Sequence, residues 1–178
     1  MRRLLIPSDP LRAPAYRVGG AVLVASIVVI GLAFAFEYLG GYDPCPLCLQ
    51  QRYAYYFAMP ALFLALVLVS AQCTGLAALL FIAVAVGFLI NAGLGTYHAG
   101  VEWKFWAGPD TCAATPRALN TAPGAGNLLK QLERVRVARC DEAPWTFLAL
   151  SFAGWNVVIS LLLAAGASAA ALRALQRS

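Results

Sequence analysis

The run Cys45-Pro46-Leu47-Cys48-Leu49-Gln50-Gln51-Arg52 is the part of this 178-residue chain whose residue types could do chemistry. Two cysteines separated by two residues can close a small disulfide ring or supply half of a metal site. Pro44 and Pro46 make a turn just before a long apolar run, which puts Cys48 in the first turn of a helix. The unsatisfied N–H groups of that turn carry partial positive charge and favour thiolate over thiol, as a redox pair requires. Arg52 follows Cys48 by four residues, one turn on along the same face, and sets a permanent cation beside the thiolate. A zinc ribbon needs a second close pair, whereas Cys73, Cys112 and Cys140 are scattered. Covalent haem needs a histidine where Leu49 stands. No metal is expected.

What must position this motif is a membrane. The chain is 61% hydrophobic and 12% charged, with a mean hydropathy of +0.73. A soluble domain would carry roughly a quarter charged residues and would lack apolar runs of about twenty. The net charge of +5 therefore speaks to topology and anionic lipid headgroups, not to nucleic acid. The predicted fold class is an all-α membrane protein, a four-helix transmembrane bundle forming one domain over residues 1–178. Its spans are predicted at about 18–38, 53–70, 75–97 and 145–170, with loops at about 39–52 and 98–144. The longer loop is predicted to carry a short amphipathic helix with Leu128, Leu129, Leu132 and Val135 on one face. Gly87, Gly93 and Gly95 are read as points of close helix approach, and Trp103, Trp106 and Trp145 as interfacial belt residues. Ala33-Phe34-Ala35 mimics a signal-cleavage site, but the apolar run is long and a second span follows, so a retained anchor is expected.

Arg2, Arg3, Arg12 and Arg17 precede the first span, which places the N-terminus, and after four spans the C-terminus, in the cytoplasm. Cys45, Cys48, Cys112 and Cys140 then share the opposite side, where an oxidising compartment lets cysteines pair, while Cys73 is alone on the cytoplasmic side. One pair at the membrane edge and one on a long loop suggest electrons passed between pairs by thiol–disulfide exchange. The final two-electron acceptor beside a membrane-edge pair is most simply a lipid-soluble quinone, which also takes two protons. His98, the single histidine, ends the third predicted span on the side of Arg52, with Asn91 two turns below, and is a candidate for quinone contact or proton delivery. Glu37 reads as an ordinary interface charge.

On these residues the chain resembles the disulfide bond formation protein B (DsbB) family of bacterial inner-membrane thiol oxidases. The resemblance covers nearly the whole chain. It implies that Cys45 and Cys48 are the quinone-coupled pair, that Cys112 and Cys140 meet the soluble partner, and that Arg52 belongs to the quinone site. A histidine near His98 is a family feature too. Gln51 stands where the family often has Glu or Gln. The implied activity is that of a protein-dithiol:quinone oxidoreductase. It would reoxidise a periplasmic thioredoxin-like, DsbA-like thiol oxidase and pass the electrons to ubiquinone or menaquinone in the bacterial inner membrane, in support of periplasmic protein folding. The alternative is a non-enzymatic four-helix membrane scaffold whose outer loops are held by two static disulfides; it predicts no quinone reduction by a dithiol protein.

Overall fold

The computed structural model describes residues 13–42, 44–108, 140–141, 143 and 145–176. Four long helices carry the fold: α1 (Pro14–Tyr38), α2 (Pro46–Ser70), α3 (Thr74–Glu102) and α4 (Phe152–Leu175). Each is apolar and long enough to cross a membrane, since 24 residues or more at 1.5 Å per residue exceed a hydrocarbon core of about 30 Å. A two-residue-stranded hairpin, β1 (Thr146–Phe147) and β2 (Leu150–Ser151), leads into α4. The protein is thus an all-α membrane bundle. The predicted amphipathic helix and Cys112 lie outside the described residues.

The helices begin and end where local chemistry allows, not where the apolar runs do. α2 starts at Pro46, ahead of the apolar run at Tyr53, because Cys45 caps it with its sulfur on the Cys48 N–H and proline at the first helical position sacrifices no hydrogen bond. α3 continues past His98 to Glu102. α4 starts at Phe152, later than the expected Trp145, because Ser151 caps it by accepting the Gly154 N–H and residues 146–151 turn back as the hairpin. Leu148 and Ala149 make that turn with φ of 51° and 63°, a left-handed pair that ordinarily calls for Asn or Gly. Ala149→Gly is therefore expected to stabilise the protein by about 0.5–1 kcal/mol, read as a higher thermal midpoint in detergent; a lowered midpoint would contradict the strain.

α1 and α3 each pack against both α2 and α4, which gives a square bundle. Its interior is built from small residues and a few rings: Ala65, Ala77, Ala167 and Ala170 are fully buried beside Leu62, Phe81 and Phe88. Large apolar side chains such as Val24, Leu32, Phe63, Leu79, Ile90 and Leu162 point outward, as lipid contact demands. Of the three glycines read as contact points, Gly95 is one: a Cβ there would lie 2.9 Å from Val157 and 3.4 Å from the Ala153 carbonyl. Gly93 has open space around it, and Gly87 has only ordinary contact with Phe57. Glu102, which ends α3, accepts a hydrogen bond from Ser151 at the start of α4, so this end of the bundle carries the α2 N-terminus, the α3 C-terminus and the α4 N-terminus together.

Candidate functional site

Cys45 and Cys48 are both free cysteines, with their sulfurs 2.8 Å apart. As the helix cap, Cys45 and not Cys48 receives the N–H of the first turn, at 3.2 Å. The expected effect of the helix end on thiolate character therefore falls on the first cysteine of the motif. Cys45 is held well below the ordinary thiol value, at about 5, chiefly because the Cys48 thiol donates to it; burial opposes this, and His98 adds to the lowering. Ultraviolet thiolate absorbance of the reduced protein should accordingly show a first titration midpoint near 5, with thiolate present above it and lost below. Absence of any thiolate below pH 7 would contradict the arrangement.

Around Cys45 the structure gathers residues from distant parts of the chain. Its sulfur, a ring nitrogen of His98 and the sulfur of Cys140 lie within 4.8 Å of one another, and all three residues are buried. Cys140 is disulfide-bonded and so offers no thiolate to a metal. Of the predicted site residues, Cys45, Cys48, Cys140, Arg52 and His98 meet at one end of the bundle.

Cys48 and Arg52 line an open-sided cavity of about 440 Å³ bordered by α1, α2, α4 and the hairpin. Its walls are mainly apolar, with Ile30, Phe36, Trp145, Phe147 and Ile159 among them, and Glu37, Gln51, Arg52 and Asn156 add polar side chains. Trp145, expected as a belt residue, is one of these walls and stacks on Phe152 at 4.9 Å, whereas Trp103 and Trp106 are exposed at the end of α3. Arg52 is not a lone cation. Its Nη1 donates to Glu37 Oε2 at 2.6 Å, both side chains are largely buried, and its guanidinium lies 5.0 Å from the Phe34 ring centroid. The acid at position 37, read from sequence as an interface charge, is thus the counter-ion of Arg52 and a cavity-wall residue.

His98 stands elsewhere. It is 2% exposed and faces the bundle interior, and no residue of α3 lines the cavity. Its Nε2 lies 3.6 Å from Cys45 Sγ and 3.9 Å from Glu102 Oε1, while Nδ1 lies 2.9 Å from Gln51 Nε2. Gln51 Oε1 accepts from Asn156 Nδ2 at 2.6 Å, and Asn156 Oδ1 accepts from the Tyr55 hydroxyl at 2.9 Å and from Asn91 Nδ2 at 3.4 Å. Asn91 continues to Ser160 at 3.0 Å. Asn156 and Glu102 were not singled out from the sequence, and Tyr55, which reads there as one of the headgroup-level rings at the start of the second span, is buried. For Asn156 and Glu102 the one signal was polarity inside or at the end of an apolar helix, where an unpaired polar group is costly.

Cys73, by contrast, is exposed in the turn between α2 and α3, about 35 Å from the dithiol along a 25-residue helix. Cys73→Ser should leave activity within about twofold of the parent; a large loss would place Cys73 in the exchange.

A membrane bundle that sets a free dithiol between a disulfide-bonded cysteine and an apolar cavity belongs to the class of membrane thiol–disulfide proteins. Comparison with known sequences narrows this: the profile of the family described as Disulfide bond formation protein DsbB matches residues 16–170, and the chain belongs to that family. It is similar to the disulfide bond formation proteins B of Herminiimonas arsenicoxydans (32% identical, covering 81% of this chain and 87% of the relative) and Acinetobacter baumannii (31%, covering 82% and 84%). That of Hahella chejuensis is 30% identical over 73% of this chain and 77% of the relative. No solved structure gives a significant match.

Proposed function

We propose that this protein is a thiol oxidase of the bacterial inner membrane that reoxidises a periplasmic thioredoxin-like dithiol protein and passes the electrons to membrane quinone. The observation that carries this reading is the position of Cys45. Its sulfur has Cys140 within 4.8 Å on one side and Cys48, a wall of the apolar cavity, 2.8 Å away on the other. In the proposed relay the partner's thiolate attacks Cys112, which displaces the Cys140 thiolate. Cys140 then attacks Cys45 of the oxidised pair: the Cys45–Cys140 bond forms, the Cys45–Cys48 bond breaks, and the electron pair remains on Cys48 as thiolate.

The cavity fits a quinone headgroup by volume and by wall chemistry, with planar rings, aliphatic side chains, one guanidinium–carboxylate pair and the amides of Gln51 and Asn156. When bound, a quinone supplies the capacity to accept two electrons and two protons. Arg52 would hold it, because a guanidinium has five donors and Glu37 engages only part of them. Glu37 also cancels the charge of Arg52, which lets the cation persist in hydrocarbon surroundings without repelling an uncharged ligand. The Arg2–Arg17 cluster of arginines, the even number of spans among the described residues and the clustering of the dithiol with Cys140 at one end support cytoplasmic termini and a periplasmic site.

The test is quinone reduction by purified protein given a reduced thioredoxin-like substrate, followed by quinone absorbance. Stoichiometric loss of quinone and substrate dithiol is expected; none would leave the static-disulfide scaffold. A substrate lacking its resolving cysteine should also accumulate as a reducible adduct through Cys112. An adduct mapped to Cys45 in the otherwise intact protein would overturn the two-pair order.

A further inference from the structure

Nε2 of His98 faces two groups, the Cys45 sulfur and the Glu102 carboxylate, and both accept hydrogen bonds when ionised. A proton on Nε2 meets both groups, and Nδ1, which faces the Gln51 amide nitrogen, is the acceptor. Only an N–H of Gln51 satisfies Nδ1. That turns the Gln51 carbonyl toward Asn156, whose N–H meets it, and turns the Asn156 carbonyl toward the Tyr55 hydroxyl and the Asn91 N–H. Reversing every amide in the run would satisfy the amides equally well, but a ring with a single proton would then aim its Nε2 lone pair at a thiolate and a carboxylate. The charged end of the run decides its direction. Gln51 is 6% exposed and Asn91 3%, and among the described residues no buried side-chain polar atom lacks a partner.

We infer that Gln51 and Asn156 are positioning residues that lock His98 with its Nε2–H on the Cys45 sulfur, so that His98 serves the dithiol as a fixed hydrogen-bond donor instead of carrying protons to the cavity. The purpose of the lock rests on the exchange chemistry proposed above. When the Cys45–Cys140 bond breaks, the original disulfide partner of Cys140, released as a thiolate from its mixed disulfide by the soluble protein's second cysteine, attacks Cys140; the new S–S bond forms and the electron pair is left on Cys45. The Cys48 backbone N–H and the His98 Nε2–H receive that charge, and no proton has to move. Amides suit this role because a side-chain amide holds a hydrogen-bond direction without itself titrating.

The experiment titrates Cys45 alone. In the full-length protein carrying Cys48→Ala, Cys73→Ser, Cys112→Ser and Cys140→Ser, thiolate absorbance against pH reports Cys45. The other titratable group facing it from α2, the Cys48 thiol, is then gone, as is Cys140, which leaves His98 and Glu102 from α3. Gln51→Met is expected to raise the midpoint by about one pH unit, a tenfold loss of thiolate below it. His98→Ala should raise it at least as much, and Gln51→Met added to His98→Ala should raise it no further, because Gln51 acts through His98. Asn156→Leu should shift it in the same direction by less. Gln51→Glu should restore the parent midpoint or lower it, since a carboxylate at Nδ1 keeps a proton on both ring nitrogens. An unmoved midpoint in Gln51→Met, or an equal rise from it with His98 already removed, would overturn the inference. Neither quinone nor partner enters the measurement, so a failure of quinone reduction and a failure of the lock are read separately.

Discussion

Replacing Cys48 with alanine is expected to abolish quinone reduction, below a thousandth of the parent rate, while the bundle remains folded. Cys48 is the one sulfur of the dithiol that lines the cavity, and no described disulfide joins two helices through it. The variant should also change its covalent state. With no Cys48 to pair with, the Cys45 thiolate lies within 4.8 Å of the disulfide-bonded Cys140 and can attack it. The Cys45–Cys140 bond forms, the existing bond of Cys140 breaks, and its former partner leaves as a thiolate. Peptide mapping under non-reducing conditions should therefore find Cys45 joined to Cys140 in Cys48→Ala and not in Cys45→Ala. Retained turnover in either variant would remove the pair from the reaction. Turnover lost with Cys45 still a free thiol would mean that the short distance to Cys140 does not serve exchange.

The contrast between what the sequence shows and what it hides is itself physical. Cys45, Cys48 and Arg52 were legible because their relation is local: a turn, a cap and one helical period fix their relative positions before any tertiary contact forms. The four spans were legible because a bilayer imposes length and composition on each helix separately. What stayed hidden depends on which faces meet. Glu37 and Arg52 sit on different helices, and their 2.6 Å contact follows from the packing of α1 on α2, which the featureless Ala, Val and Leu faces do not specify. The same holds for Asn156, which reaches Gln51 and Tyr55 across the bundle from α4. His98 lies at the end of the bundle that carries Arg52, and its contact with Cys45 is one the sequence did not name. The apolar run stops near Tyr97, so the residue reads as interfacial, yet α3 continues for another turn and buries it against Cys45. The hairpin at 146–151 left no sequence mark, since Leu148 and Ala149 are not the residues its turn prefers.

Arg52→Ala should weaken the apparent affinity for quinone about ten- to a hundredfold, the range that corresponds to one charge-assisted hydrogen bond of about 1.5–3 kcal/mol. Arg52→Lys should weaken it less, because a point charge keeps some attraction but cannot hold Glu37 and a ligand oxygen with one planar fork. Arg52→Ala confounds two effects, however. It also leaves the Glu37 carboxylate largely buried without its partner, which destabilises a folded protein by about 3–5 kcal/mol. The double variant Glu37→Leu with Arg52→Met separates them: it removes both charges, fills the volume with apolar atoms, and should return the thermal midpoint to near the parent value. Its quinone affinity should stay as poor as that of Arg52→Ala. Glu37→Gln alone should lower stability but keep affinity within a few-fold, since every guanidinium donor remains. If the double variant recovered quinone affinity along with stability, Arg52 would be a structural half of an ion pair and the cavity would hold its ligand by shape alone.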